Sequence, residues 1–161
     1  MTGGLPGGAR RTAVKRVARL TRLGAPSQGQ ILVAWGAMSD LMSDVDPNCL
    51  FCKIVAGQIP STKVAESDGA FAFRDLNPTA PTHVLVVPKH HIANAGEITS
   101  GHGEDLAAVM LLAQEVARLE GIDERGYRLV FNVGEDSGNS VDHLHMHVVG
   151  GKQMGWPPFA K

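Results

Sequence analysis

The sequence predicts an α+β domain on a mainly antiparallel five-stranded sheet, with one long and one short helix. Five short apolar or alternating runs are bounded by Gly, Pro, Asp and Ser, and a single stretch carries a helical period. The regular strand–helix alternation that a parallel sheet requires is missing. At 161 residues the chain is long enough for one real core.

The elements follow in order. "CLFCKIVAG" reads as a short helical turn closed by Gly57. "TKVAES" and "AFAFRD" read as two strands around the turn Ser67–Asp68–Gly69, a hairpin. "NPTAPT" is a proline-punctuated loop, and "HVLVVPKHH" an apolar strand ended by Pro88. Residues 104–120 carry the long helix. There Leu106, Val109, Met110, Ala113, Val116 and Ala117 recur on one face. Glu104 and Asp105 suit its positive N-terminal end, and Gly121 suits its stop. "GYRLVFNV" is the next strand, "GEDSGNS" a turn, and "VDHLHMHVV" the last strand.

The formal net charge of −1 hides an asymmetry. Arg10, Arg11, Lys15, Arg16, Arg19 and Arg22 give residues 1–37 a charge of +6 without one acid, so the remainder carries −7. An acidic body argues against nucleic acid as a partner. The expected division is a basic, disordered extension over residues 1–45 and a folded domain over 46–161. The extension reads as a transit-like segment, as a basic arm, or as sequence upstream of alternative starts at Met38 or Met42. "ILVAW" is too short to span a bilayer, so no membrane is expected. The expected location is the cytoplasm, or an organelle if residues 1–37 are a transit peptide.

Two motifs carry chemistry. Cys49 and Cys52 form a C-x-x-C pair, which is a metal half-site or a redox pair and not a disulfide framework. Without a βαβ redox context, metal is favoured. Its remaining ligands would come from His90 or His91 and from one end of "HLHMH". That second motif holds His143, His145 and His147 on alternate positions. On a strand they share a face, with Leu144, Met146 and Val148 on the other. An extended run separates the outer two by roughly 13 Å, too far for one ion to bind all three, so the three histidines divide their labour.

At least His145 is then free for chemistry. A neutral imidazole attacks phosphorus well near neutral pH, provided its far N–H is held by a carbonyl or carboxylate. The preceding turn supplies Asn132, Gly134, Gly138 and Ser140, from which an anion nest beside the nucleophile is expected. His147 would polarise the phosphate oxygens or help the leaving group. His102 reads as solvated.

Together these residues resemble the histidine triad (HIT) family, Hint branch, in a zinc-containing form. The signature stands as "HLHMHVV", and "CLFCKIVAGQIPSTKV", "AFAFRDLNPTAPTHVLVVPKHHI", "GYRLVFNVGEDSGNSVDHLHMHVVGG" and "GGKQMGWPP" match in order and spacing over about residues 47–158. The resemblance implies a hydrolase or nucleotidyl transferase that cleaves the P–N bond of purine nucleoside 5′-phosphoramidates, such as adenosine 5′-monophosphoramidate, through a nucleotidyl-histidine intermediate. His145 maps to the nucleophile. Asp75 and Leu76 map to ribose-holding positions, Phe51 and Phe73 lie near the base, and Asn132, Gly138, Asn139, Ser140 and His147 surround the phosphate. His83 maps to a supporting histidine. The resemblance also implies one structural zinc per chain on Cys49, Cys52, His91 and His143, no organic cofactor, and a homodimer in which Trp156 reaches the partner's site.

Two positions depart from the pattern. Asn139 stands where Gln is usual, which shortens a polar contact near the phosphate, and Asp142 replaces a common aromatic residue. Two other readings are a hydrolase that uses His143 and His145 as catalytic zinc ligands, and a nucleotide-binding or interaction module with negligible turnover.

Overall fold

The structure, a computed structural model, describes residues 45–155. The expected extension, up to residue 44, and Trp156 lie outside the described residues. The elements are helix α1 (Leu50–Val55), strands β1 (Lys63–Glu66), β2 (Ala70–Arg74) and β3 (Thr82–Pro88), helix α2 (Gly103–Leu119), and strands β4 (Arg128–Phe131) and β5 (Met146–Gly150). The sheet order is β1-β2-β3-β5-β4, and every neighbouring pair is antiparallel. This is the predicted five-stranded α+β architecture.

Strand β3 sits at the centre, and each of its residues is buried. Its unbroken apolar run follows from that position, because a strand covered on both faces has no solvent side to mark with polar residues. One face of the sheet carries Ala70, Ala72, Val84, Val86, Met146 and Val148. These pack on Val109, Leu112, Ala113, Val116 and Ala117 of α2. The other face carries Phe71, Phe73, Leu85 and Val87, packed on Cys49, Phe51, Cys52 and Ile54 of α1 and its N-cap.

The helix stripe differs from the expected one in two places. Met110 is 40% exposed, whereas Leu112 is buried. Leu112 lies three residues after Val109 and four before Val116, so it falls on the same line of the helix surface; Met110 falls one step past its edge.

The β1–β2 turn is pressed against α2. A Cβ on Gly69 would sit 2.9 Å from the Ala108 Cβ, which leaves room there for glycine alone. At the far end of β5, a Cβ on Gly150 would meet Ile122 Cδ1 at 2.6 Å.

The last strand is shorter than expected. It begins at Met146, so His143 and His145 precede it and only His147 lies within it. The backbone of the preceding residues is engaged elsewhere: His143 N–H donates to Val141 O at 2.9 Å, and Leu144 N–H donates to Ile92 O. Those bonds replace the ladder that an extended strand from 141 would have made. Among the described residues no helix is long and apolar enough to cross a membrane.

Candidate functional site

The site lies on the α1 side of the sheet and has two adjoining parts. The first collects Cys49, the N-cap of α1, Cys52 within it, His91 just after β3, and His143 just before β5. One donor atom from each lies within 4.8 Å of all the others. Cys49 Sγ is 3.3 Å from His143 Nδ1, and Cys52 Sγ is 3.4 Å from His91 Nδ1 and 3.5 Å from His143 Nδ1. A tetrahedral zinc, with bonds of about 2.3 Å to sulfur and 2.0–2.1 Å to nitrogen, separates S and N donors by roughly 3.6 Å. The four donors are therefore compatible with zinc.

Proton bookkeeping agrees. The His143 Nε2 faces the Pro88 carbonyl at 3.0 Å, and a carbonyl only accepts, so the N–H is on Nε2 and the bare Nδ1 faces the thiols. Burial pushes His143 down to about 4, partly opposed by that Pro88 bond, which keeps the ring a neutral ligand near pH 7. Burial also pushes the Cys52 thiol up to about 11. A thiolate there needs a cation to offset its desolvation.

The second part is the histidine row. His145 is buried, and its Nδ1 lies 2.7 Å from the His143 carbonyl. The same logic puts the N–H on Nδ1 and leaves Nε2 with a bare lone pair, the nucleophilic tautomer. The Phe51 ring packs edge-on to His145 at 5.3 Å, to His143 at 6.0 Å and to Phe73 at 5.4 Å. Phe51 lies between the two cysteines in the chain, so α1 delivers both thiols and the aromatic wall of the nucleophile.

His147 pairs in register with Leu85 of β3 and Val130 of β4, which places it two positions from His83 on the same face. Its Nδ1 is 2.8 Å from His83 Nε2, and its ring centre is 5.1 Å from that of His145. Asp75 Oδ2 is 3.3 Å from His83 Nε2, and Asn132 Nδ2 is 3.4 Å from His147 Nε2. Burial, reinforced by His145 and His83, pushes His147 down to about 4. His83, Asp75, Asn132, His145 and His147 are thus brought together, with Phe51 and Phe73 behind them. Leu76 stands 92% exposed beside Asp75, an apolar side chain projecting from the loop.

Two expectations are modified, those for the turn amides and for His102. Ser140 and Gly138 are exposed, and among the described residues no hydrogen bond ties either to the histidines. Ser140 lines a hollow of about 380 Å³ with Asp46, Asn48, Cys49, Leu50, Val141 and Asp142, on the cysteine side. The expected nest is also not open. The N–H groups of Ser137, Gly138 and Asn139 donate to Gly134 O or Glu135 O, closing the turn on itself. Finally, Thr99 N–H donates to His102 Nδ1 at 3.1 Å, so His102 caps the turn before α2 instead of standing in solvent.

Sequence reasoning missed Pro88 and Thr79, which set ring orientations through main-chain atoms. Thr79 N–H donates to His83 Nδ1 at 3.2 Å. The residue type carries no signal for such a role. His90, the other candidate ligand, turns away and lies 3.2 Å from Asp105 Oδ2 of α2.

The comparisons point one way. The HIT domain family matches residues 56–154. A 14 kDa zinc-binding protein of Zea mays is 43% identical over 115 residues, 70% of this chain and 89% of that protein. The purine nucleoside phosphoramidase of Escherichia coli strain K12 is 40% identical over 106 residues, 66% of this chain and 89% of that protein. The crystal structure of a HIT family hydrolase from Legionella pneumophila Philadelphia 1 shares 50% identity at a TM-score of 0.67, covering 69% of this chain and 99% of that one.

Proposed function

The chain belongs to the HIT domain family, and from that premise we propose that it is a hydrolase cleaving the P–N bond of purine nucleoside 5′-phosphoramidates, with His145 as nucleophile. The observation that carries this reading is the 2.7 Å bond from the His145 Nδ1–H to the His143 carbonyl, because it leaves Nε2 bare and aimed away from its own backbone.

In the proposed mechanism Nε2 attacks phosphorus and the P–N bond breaks. The nitrogen departs as the amine with one proton taken from water. A second water then cleaves the P–Nε2 bond, releases the nucleoside monophosphate and a proton, and restores the neutral ring. His147 presents an Nε2–H toward the charge that builds on the phosphate oxygens. Asp75 and Leu76 hold the ribose, and Phe51 and Phe73 border the base. Asn132, Gly138, Asn139 and Ser140 surround the phosphate, and Trp156 completes the site of a partner copy.

Cys49, Cys52, His91 and His143 would hold one structural zinc. When bound, the ion supplies a fixed positive charge that keeps the thiols ionised and ties three chain segments together. A catalytic metal on His143 and His145 is disfavoured, because His143 groups with Cys49, Cys52 and His91 while His145 belongs to no donor cluster among the described residues. A homodimer is supported by β4, an edge strand of the sheet, and by the exposed Met110, Leu111 and Leu119 of α2. The cytoplasm is the proposed location, or an organelle should residues 1–37 act as a transit peptide.

The test is a single-turnover reaction with adenosine 5′-monophosphoramidate, followed by intact-protein mass. A nucleotidyl adduct is expected on the native protein and none on His145→Ala. Normal turnover by that variant would rule out the nucleophile. A native protein that binds nucleotide without forming adduct or product would instead support a binding module.

A further inference from the structure

Tautomer, as much as position, decides what His147 offers a phosphate. A neutral imidazole carries one N–H. With the proton on Nε2 the ring donates toward an anionic oxygen; with it on Nδ1 the ring presents a lone pair and repels that oxygen. The structure contains a chain of contacts that fixes the choice, and its outer members are Thr79 and Lys152.

The chain begins at a group whose polarity is fixed. The main-chain N–H of Thr79 lies 3.2 Å from His83 Nδ1, and a peptide N–H can only donate, so His83 Nδ1 must be bare. The proton of His83 is therefore on Nε2, which faces two acceptors, His147 Nδ1 at 2.8 Å and Asp75 Oδ2 at 3.3 Å. By receiving that bond His147 is left with a bare Nδ1 and its proton on Nε2. Asn132 Nδ2 lies 3.4 Å from His147 Nε2; with the proton on Nε2 the amide is reversed, its oxygen facing that N–H until a phosphate oxygen replaces it.

The position of the Thr79 amide matters as much as its polarity. Thr79 lies in a loop with Pro78 and Pro81, whose rings fix φ. Asn77 N–H is held by Asp75 Oδ1 at 2.8 Å. The other side of the Thr79 residue is held from just past the end of β5: Lys152 Nζ donates to Thr79 O at 2.7 Å. Lys152 follows Gly150, which pairs with Thr82 at the start of β3. The circuit thus runs from His147 along β5 to Lys152, across to Thr79, and back through His83 to His147.

We propose that Lys152 and the main-chain amide of Thr79 are positioning residues that hold His147 as an Nε2–H donor through His83. This rests on the reading of His147 as the group facing the phosphate.

The experiment uses the full chain labelled with [15N]histidine, without substrate, and reads tautomers from long-range proton–nitrogen correlations. His83 and His147 are both expected as Nε2–H forms. Lys152 is exposed, so Lys152→Met is expected to fold, to show mixed His147 tautomers, and to lower kcat for adenosine 5′-monophosphoramidate roughly fivefold, the scale of one hydrogen bond, with KM little changed. Lys152→Arg is expected to restore both readings. Thr79→Val, which keeps the amide and loses the hydroxyl found 3.4 Å from His83 Nδ1, is expected to leave the tautomers as they were. An Nδ1–H form of His147 in the native protein, native tautomers in Lys152→Met, or changed tautomers in Thr79→Val would each overturn the proposal. Because these signals need no turnover, they stand or fall apart from the hydrolase reading.

Discussion

His143 and His145 are joined by one hydrogen bond that links two chemistries. The carbonyl of His143 receives the Nδ1–H of His145 at 2.7 Å, while the ring of the same His143 turns Nδ1 to Cys49 Sγ at 3.3 Å. Whatever the four donors hold therefore acts, through one residue's backbone, on the orientation of the proposed nucleophile. Phe51 adds a second link, since the α1 turn that carries Cys49 and Cys52 also sets this ring against His145.

Removing the metal is thus expected to affect more than folding. Purified protein is expected to contain one zinc per chain by elemental analysis. Chelation is expected to lower both Tm and the single-turnover rate, with zinc restoring the two together. Loss of an outer partner at zinc sites typically costs 10–100-fold in affinity, so loss of a ligand in Cys52→Ser is expected to cost at least about 100-fold. Zinc-free protein with unchanged Tm and rate would contradict the link.

Phe51→Ala is expected to cost about 3–4 kcal/mol in urea unfolding, because the ring is buried and touches Phe73, His143 and His145. Phe51→Leu is expected to recover most of the stability but less of the rate, since the edge contact on His145 is lost with the ring. Equal recovery of both would show that the ring only fills space.

Acid stability provides a sign-specific check on His147. Burial lowers its folded pKa from 6.5 to about 4, so between those values the unfolded chain binds the proton that the folded one refuses. Stability is then unaffected above about pH 6.5, falls as pH drops through the window, and levels off below pH 4. The loss is on the order of 2 kcal/mol, reduced for partial solvation of the ring. Thermal melts are expected to show Tm of the native protein falling relative to His147→Gln as pH goes from 7 to 4.5. A constant difference would mean that His147 titrates normally.

Asn139 separates stability from function. Among the described residues its Oδ1 is buried without a hydrogen-bond partner, and its Nδ2 has only a long 3.4 Å contact to Asp142. Removing an unsatisfied acceptor costs little, so Asn139→Ala is expected to leave unfolding free energy within about 0.5 kcal/mol, or to raise it. If the group serves the phosphate, kcat/KM falls in the same variant. A large loss of stability would show that the amide is held by something else.

Much of the fold was legible because its signals are local. The hairpin turn, the apolar β3 run and the α2 stripe each follow from side-chain period and from glycine or proline, which act within a few residues. That the three histidines of "HLHMH" do not converge on one point was also legible, although the extended geometry used to reach it was not the observed one. His143 and His145 come before β5, because bonds to Val141 and Ile92 take the place of a ladder. The turn amides were misjudged for a related reason. A Gly- and Ser-rich loop shows that donors exist, but which way they face depends on how the turn closes.

By itself the sequence determined which residue types meet: two thiols and two imidazoles at one point, and three more imidazoles with a carboxylate at the next. Only the tertiary structure decided the state of each ring. The proton of an imidazole sits opposite whatever group faces the other nitrogen. Here those groups are the carbonyls of Pro88 and His143 and the amide of Thr79, main-chain atoms that every residue carries and no motif can mark.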